Sequence, residues 1–153
     1  MEMVSWRGRA LSAEVTIRNF IFPQDYPAVY LLWQNAGAGI HLRRSDTPEE
    51  IAKKLERDPD LFLVAEINEQ IIGSVIGGFD GRRGFVYHLA VDAVHRGAGL
   101  GAALMAELEQ RLKGKGCLKA YLFIAPENTA VTGFYQHIGW QHMDVIPFAK
   151  DLG

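Results

Sequence analysis

Cysteine occurs once, at Cys117, so no internal disulfide can staple the chain and no cysteine cluster can hold zinc. A lone thiol fits a reducing compartment, and the cytoplasm is the expected location. No apolar run reaches the length of a membrane span, so no membrane partner is expected. Residues 1–13 carry Arg7 and Arg9 with no apolar segment behind them. They read as a loosely held N-terminal extension rather than a secretory leader. An excess of one charge is also missing: 16 Lys and Arg stand against 18 Asp and Glu, a formal charge of −2. Nothing there would neutralise a phosphate backbone, so no nucleic-acid partner is expected. His137 and His142 have no second pair of ligands nearby, and no metal is expected. What is present is ordinary for a globular chain: 48% apolar and 22% charged residues over 153 positions. That length fits one domain, expected over residues 14–153, with no repeat or linker.

The pattern along the chain alternates between sheet and helix. Val15-Thr16-Ile17-Arg18 has the period of a strand. Residues 23–36 carry Val29, Leu32 and Trp33 at helical spacing, with Gln24 or Asp25 as cap. Thr47-Pro48-Glu49-Glu50 is a helix start, with a capping Thr, an early Pro and acids at the positive end of the dipole. Residues 61–65 and 71–78 form a hairpin about Asn68-Glu69, and 84–91 add a third strand after Asp80-Gly81. Leu100, Leu104, Leu108 and Leu112 then repeat every four residues on one long helix. A strand over 118–124, a helix over 128–138, and one or two strands over 140–152 complete the expectation. A strand–helix–strand unit following a meander makes the sheet mixed.

Arg96-Gly97-Ala98-Gly99-Leu100-Gly101-Ala102 lies between a strand and the strongest helix. Glycines there let the backbone turn tightly and come close to a ligand. The first amides of a helix lack internal partners and suit a phosphate group. A glycine-rich turn that merely packs helix on sheet is the other reading. A P-loop would need Gly-Lys-Ser/Thr, and Leu100-Gly101-Ala102 stands there instead. A dinucleotide fingerprint fits formally as Gly97-x-Gly99-x-x-Ala102. However, residues 92–96 intervene after the strand, and Phe123 and Ile124 occupy the place of the ribose-binding acid. A nucleotide-dependent oxidoreductase is therefore disfavoured.

Arg96 to Gly101 resembles the (Gln/Arg)-x-x-Gly-x-(Gly/Ala) motif of the GNAT N-acetyltransferase superfamily. Leu89-Ala90-Val91-Asp92 resembles that family's coenzyme-facing strand. Asn128, Phe134-Tyr135 and Gly139-Trp140 resemble its ending. The likeness runs from about Val15 to the C-terminus. It is nearest to small bacterial single-domain members with Gly-Gly-x-Asp-Gly-x-Arg-Gly, here Gly77 to Gly84.

The resemblance implies an α+β GNAT fold. This is a mixed, mostly antiparallel sheet of about six to seven strands, flanked by about four helices, with two parallel central strands splayed to admit coenzyme. It implies acetyl-CoA as cosubstrate, with pyrophosphate on the amides of Gly97, Ala98, Gly99, Leu100 and Gly101 beside Arg96. Pantetheine would pair with the backbone of Leu89 and Val91. A bulge near Ala90 would aim an amide at the thioester carbonyl. Acetyl would pass directly to a primary amine of a small molecule or peptide. Tyr135 would be general acid to the thiolate, and Asn128 a coenzyme contact or an N-cap. Seven helical steps separate Asn128 from Tyr135, which puts them on one helix face. Strand alternation puts Phe85, Tyr87 and Leu89 on one face and His88 on the other, and no base is assigned. Dimers are common among relatives, so a homodimer is compatible. A non-catalytic acyl-CoA-binding or regulatory module on the same fold is the rival, against which Tyr135 argues.

Overall fold

The computed structural model describes residues 3–6 and 14–153. Ten elements follow in order: β1 (Val4–Trp6), β2 (Val15–Asn19), α1 (Tyr26–Gln34), α2 (Pro48–Arg57), β3 (Phe62–Ile67), β4 (Gln70–Phe79), β5 (Gly84–Val91), α3 (Leu100–Gly114), β6 (Ala120–Leu122) and α4 (Thr132–His137). The strands form one six-stranded sheet in chain order. Every neighbouring pair is antiparallel except β5 and β6, which are parallel because α3 carries the chain back across the sheet. This is the expected mixed α+β arrangement. Among the described residues no helix is long and apolar enough to cross a membrane.

The continuous apolar run on β3 is explained by a core on each face of the sheet. Leu63 and Ala65 point to the α3 side with Leu104, Met105 and Leu108. Phe62 and Val64 point the other way, onto Val29 and Trp33 of α1 and Ile51 of α2. A strand alternates its side chains, so two faces need two apolar sets.

Several expectations change. The extension over residues 1–13 lies partly outside the described residues, and its described part is the edge strand β1, paired to β2. Thr47 accepts a hydrogen bond from the Glu50 amide at 3.4 Å, as a cap should. The Glu50 side chain does not reciprocate, because Lys53 takes it at 2.8 Å. Asp25 stands at the start of α1, but Arg18 and the Ile21 amide hold its carboxylate, so it caps nothing. The strand expected over 118–124 shrinks to Ala120–Leu122. The final strands do not form: residues 141–153 have no regular structure and are exposed. The edge they would join is three residues long, and Pro147 has no amide to give it.

Candidate active site

The site begins where β5 leaves its neighbours. β5 pairs with β6 at Gly84–Ala120, Phe85–Tyr121 and Val86–Leu122, and the pairing stops there. β5 runs on to Val91, so from Tyr87 onward its edge toward β6 is open. A wedge between two parallel strands results, as the family resemblance implied.

On its other edge β5 carries a bulge. Ser74 faces Ala90 and Ile76 faces Tyr87, so His88 and Leu89 together oppose the single residue Val75. His88 takes the left-handed conformation, with φ +48°. The extra residue reverses the side-chain alternation beyond it. Leu89 and Val91 turn to the α3 core, while His88 stays on the α1/α2 side with Tyr87 and Phe85. This corrects the simple alternation, which set His88 opposite Phe85 and Tyr87 and left Leu89 with them. The bulge sits one step before the expected Ala90.

His88 has the partner that sequence reasoning missed. Its Nε2 lies 2.8 Å from Oδ1 of Asp46. Asp46 ends the short 3₁₀ turn Arg44–Asp46 and is only 6% exposed. Its second oxygen accepts from the Arg43 amide at 2.9 Å, and the Tyr26 hydroxyl donates to its carbonyl at 2.6 Å. Burial pushes the Asp46 carboxyl up, but the His88 ring and the Arg43 amide outweigh it, and the net shift is downward. The carboxylate is thus ionised at neutral pH, and Nε2 must carry the proton between them. That leaves Nδ1 as the acceptor in the neutral ring, with no hydrogen-bond partner among the described residues. Trp33 braces the ring edge-on at 5.0 Å. Asp46 and His88 line a cavity of about 980 Å³ between α2 and the β4–β6 strands.

The glycine loop flanks the open end of β5. Gly97 and Gly99 have φ +82° and +87°, a conformation other residues adopt only under strain. Gly99 occupies the N-cap of α3, and no side chain caps the helix, so the leading amides are free to take an anion. Buried Leu100 anchors that first turn. Arg96 donates from Nε to the Val91 carbonyl at 3.1 Å, which brings a cation beside the loop. Gly101 serves packing: a Cβ there would stand 3.3 Å from the Phe134 ring and 3.8 Å from Val91. At Gly101, then, the packing reading holds.

Asn128 and Tyr135 are not on one helix. Pro126–Val131 form a 3₁₀ turn that is non-helical at Asn128, where φ is −114° and ψ 25°, and α4 starts only at Thr132. The common-face argument drawn from their spacing fails at that kink. The Asn128 amide instead lies against Gly39, and His41 pairs with Glu127 at 2.6 Å, so the α1–α2 connection meets the turn before α4. Tyr135 packs on the α3 side of the sheet, edge-on to Phe134 at 5.0 Å. It lines a second cavity of about 380 Å³ with β6 residues, including Tyr121, which also borders the first. Burial pushes its phenol up, so it is protonated at neutral pH. The structure thus sets His88 and Tyr135 on opposite faces of the sheet where the wedge opens. Among the described residues no group of three or more His, Cys, Asp or Glu is arranged to hold a metal.

Two parallel strands that part beside an uncapped, glycine-rich helix start have the architecture of a coenzyme-binding transferase. Residues 26–140 match the acetyltransferase (GNAT) family. An acetyltransferase of Pectobacterium atrosepticum is 44% identical over 134 residues, covering 86% of this chain and 93% of that one. An acetyltransferase of Yersinia enterocolitica is 41% identical over the same shares. Among solved structures, PaiA N-acetyltransferase of Thermoplasma acidophilum in complex with coenzyme A superposes with TM-score 0.74 at 21% identity, covering 86% of this chain and 92% of that one. The Ard1 protein of Thermoplasma volcanium gives 0.71 at 25% identity, over 82% and 81%. The chain belongs to the acetyltransferase (GNAT) family, and it is an N-acetyltransferase.

Proposed function

We propose that the protein moves the acetyl group of acetyl-CoA directly to a primary amine, with His88 as base and Tyr135 as acid. One observation carries this reading: the wedge between β5 and β6 has a buried-carboxylate-backed imidazole on one face and a protonated phenol on the other. The coenzyme enters on the α3 and α4 side. Its pyrophosphate takes the amides of Gly97 to Gly101 beside Arg96, and its pantetheine bonds the open edge of β5 at Leu89 and Val91. The backbone amides at the bulge, up to Ala90, polarise the thioester carbonyl. Asn128 contacts the coenzyme from the turn before α4. PaiA of Thermoplasma acidophilum was solved with coenzyme A, which supports this choice of cosubstrate.

The acceptor comes through the α2 cavity. Nδ1 of His88 takes a proton from the ammonium, and Asp46 holds the ring in the required tautomer and balances the imidazolium. The freed amine attacks the carbonyl carbon. As the C–N bond forms, the C–S bond breaks: the departing thiolate takes the Tyr135 proton, the proton that the nitrogen sheds on becoming an amide returns to the phenolate through solvent, and the imidazolium gives its own proton to solvent. No covalent acyl-enzyme forms.

Tyr135→Phe tests the acid. Turnover, followed by thiol release, should fall about 10²–10³-fold. The rise in melting temperature with acetyl-CoA should persist, since saturation at about 100 times Kd adds about 2.7 kcal/mol whatever the chemistry. Undiminished turnover would remove Tyr135 from the mechanism. No melting shift in the parent protein, with NAD and ATP as controls, would remove acetyl-CoA.

A further inference from the structure

The large cavity is electrically polarised along its length. Helix α2 runs antiparallel to β5. Asp46, just before α2, meets His88, Lys54 lies over Gly78, and Arg57 near its end donates to the Phe79 carbonyl at 2.9 Å. Phe79 is registered with Gly84, where β5 begins. At the His88 end the lining charges are Asp46, Glu50 and Lys53, two carboxylates against one ammonium. At the far end they are Lys54, Arg57 and Arg83 against Asp58 and Asp80, three cations against two carboxylates.

The partners at the far end decide which cations are available. Lys54 is held by Asp58 at 2.6 Å. Asp80 spends one oxygen on the amides of Arg82 and Arg83, each at 2.7 Å. Among the described residues Arg57 and Arg83 make no salt bridge, although the Arg57 charge helps to hold the exposed Asp80 carboxyl below its ordinary range. Arg57 bonds a backbone carbonyl, and Arg83 bonds the Tyr121 hydroxyl from Nε at 3.1 Å and the Arg82 carbonyl from Nη1. Phe85 and Tyr87 stack at 4.8 Å and, with Ile51, give the cavity its apolar lining.

Two rulers agree on the span. Tyr121, which steadies Arg83, is registered with Phe85. From Phe85 to Tyr87 is two regular strand steps and His88 follows in the bulge, about 7–10 Å in all. From Glu50 to Arg57 is seven helical residues, about 10 Å along the axis. We infer that the acceptor is an extended molecule whose primary amine and anionic group stand about 10 Å apart, the amine at His88 and the anion at Arg57 and Arg83. The inference rests on the acetyltransfer reading above. A free α-amino acid does not fit, because its two groups are only about 3 Å apart. A peptide amine followed two residues later by an acidic side chain fits, as does a long-chain amino acid. The shared chemistry is an amine and an anion joined by a mostly apolar spacer.

The probes are Ala-Phe-Glu-amide against Ala-Phe-Gln-amide, and 8-aminooctanoate against 8-aminooctanamide. Acetylation should favour the acid over its neutral twin about tenfold or more in kcat/KM, as expected for a hydrogen bond to a charged group. The pair showing the larger preference identifies peptide or small molecule. Calorimetric binding of the same pairs, with coenzyme A present, should show the same order. In the double variant Arg57→Gln, Arg83→Gln both preferences should fall to near unity, and Arg57→Lys, Arg83→Lys should restore part of them. Equal acetylation of acid and neutral twin would overturn the inference and leave the enzyme reading standing. A preference that survives in the glutamine variant would also overturn it. A binding preference that the arginines control, without acetyl transfer to either twin, would support the charge recognition and count against the mechanism instead.

Discussion

Replacing Asp46 by Asn tests the base with the least change of shape. The carboxylate accepts two hydrogen bonds, from His88 Nε2 and the Arg43 amide, and is 6% exposed. Asn keeps the volume and can still accept from Arg43 through its oxygen. Its other group is then an NH₂, a donor, which faces His88. The ring must answer with a lone pair on Nε2, so its proton moves to Nδ1, the atom assigned to receive the amine proton. The counter-charge for the imidazolium disappears as well. Loss of a positioned base costs about 10²–10⁴-fold in rate, and the exchange of charge-assisted for neutral bonds costs about 1–3 kcal/mol of stability. The pH dependence gives a second readout. Asp46 titrates lower in the folded chain than its ordinary 3.8. The unfolded chain therefore binds the proton more tightly. The stabilisation is present above about pH 4 and is lost as pH falls through the folded value. Asp46→Asn should remove that part of acid destabilisation in urea titrations below pH 4. In kinetics, its deficit in kcat/KM should shrink as pH rises toward the amine's own pKa, about 10 for an alkyl amine and about 8 for a peptide N-terminus, where the acceptor needs no base. His88→Gln should show the same profile, and the double variant should be no worse than the poorer single one. A variant that melts normally and keeps kcat/KM at pH 7 within about threefold of the parent would refute the assignment of His88 as base.

Two further predictions concern the scaffold. A Cβ at Gly77 would lie 2.5 Å from Cδ1 of Leu108, which is fully buried, so Gly77→Ala should lose about 1–3 kcal/mol in urea unfolding as overpacking. Arg18 bridges Asp25 and Glu66, each at 2.6 Å, and Asp25 is 8% exposed. Arg18→Met strands that carboxylate and should cost about 2–3 kcal/mol, at the low end for a buried pair because Glu66 remains partly solvated.

Much of the coenzyme side was legible because it is written in consecutive residues. Gly97 and Gly99 need a left-handed backbone, and the leucines of α3 declare its buried face. The parting of β5 and β6 was expected only from the family likeness: the residue pattern predicts a strand over 118–124, and only the structure cuts β6 to three residues against eight for β5. The acceptor side was illegible for a different reason. Asp46 and His88 are 42 positions apart, and nothing near either one signals the other. Asn128 and Tyr135 misled in the opposite sense. Their spacing is helical, but the chain between them changes from 3₁₀ to α, and a spacing rule holds only within one continuous helix.

The bulge at His88 ties these failures and the function together. With regular alternation, His88 would face α3, and Leu89 would join Phe85 and Tyr87 in the acceptor cavity. The slip of one residue exchanges them. An imidazole enters the cavity beside Asp46, and Leu89 and Val91 return to the α3 core without interrupting it. The same local twist occurs on the stretch of β5 that β6 has already left. On the proposed mechanism, one irregular residue therefore supplies the acceptor side with its base and gives the coenzyme side an apolar wall. Deleting Val75's double partner, by removing either His88 or Leu89, would restore pairing on paper. Ala90 and Val91 would keep the faces that Ser74 and Gly73 fix, but without Leu89 the imidazole would stand opposite Val75 and turn to the α3 side, which sets that deletion apart from a simple loss of the imidazole.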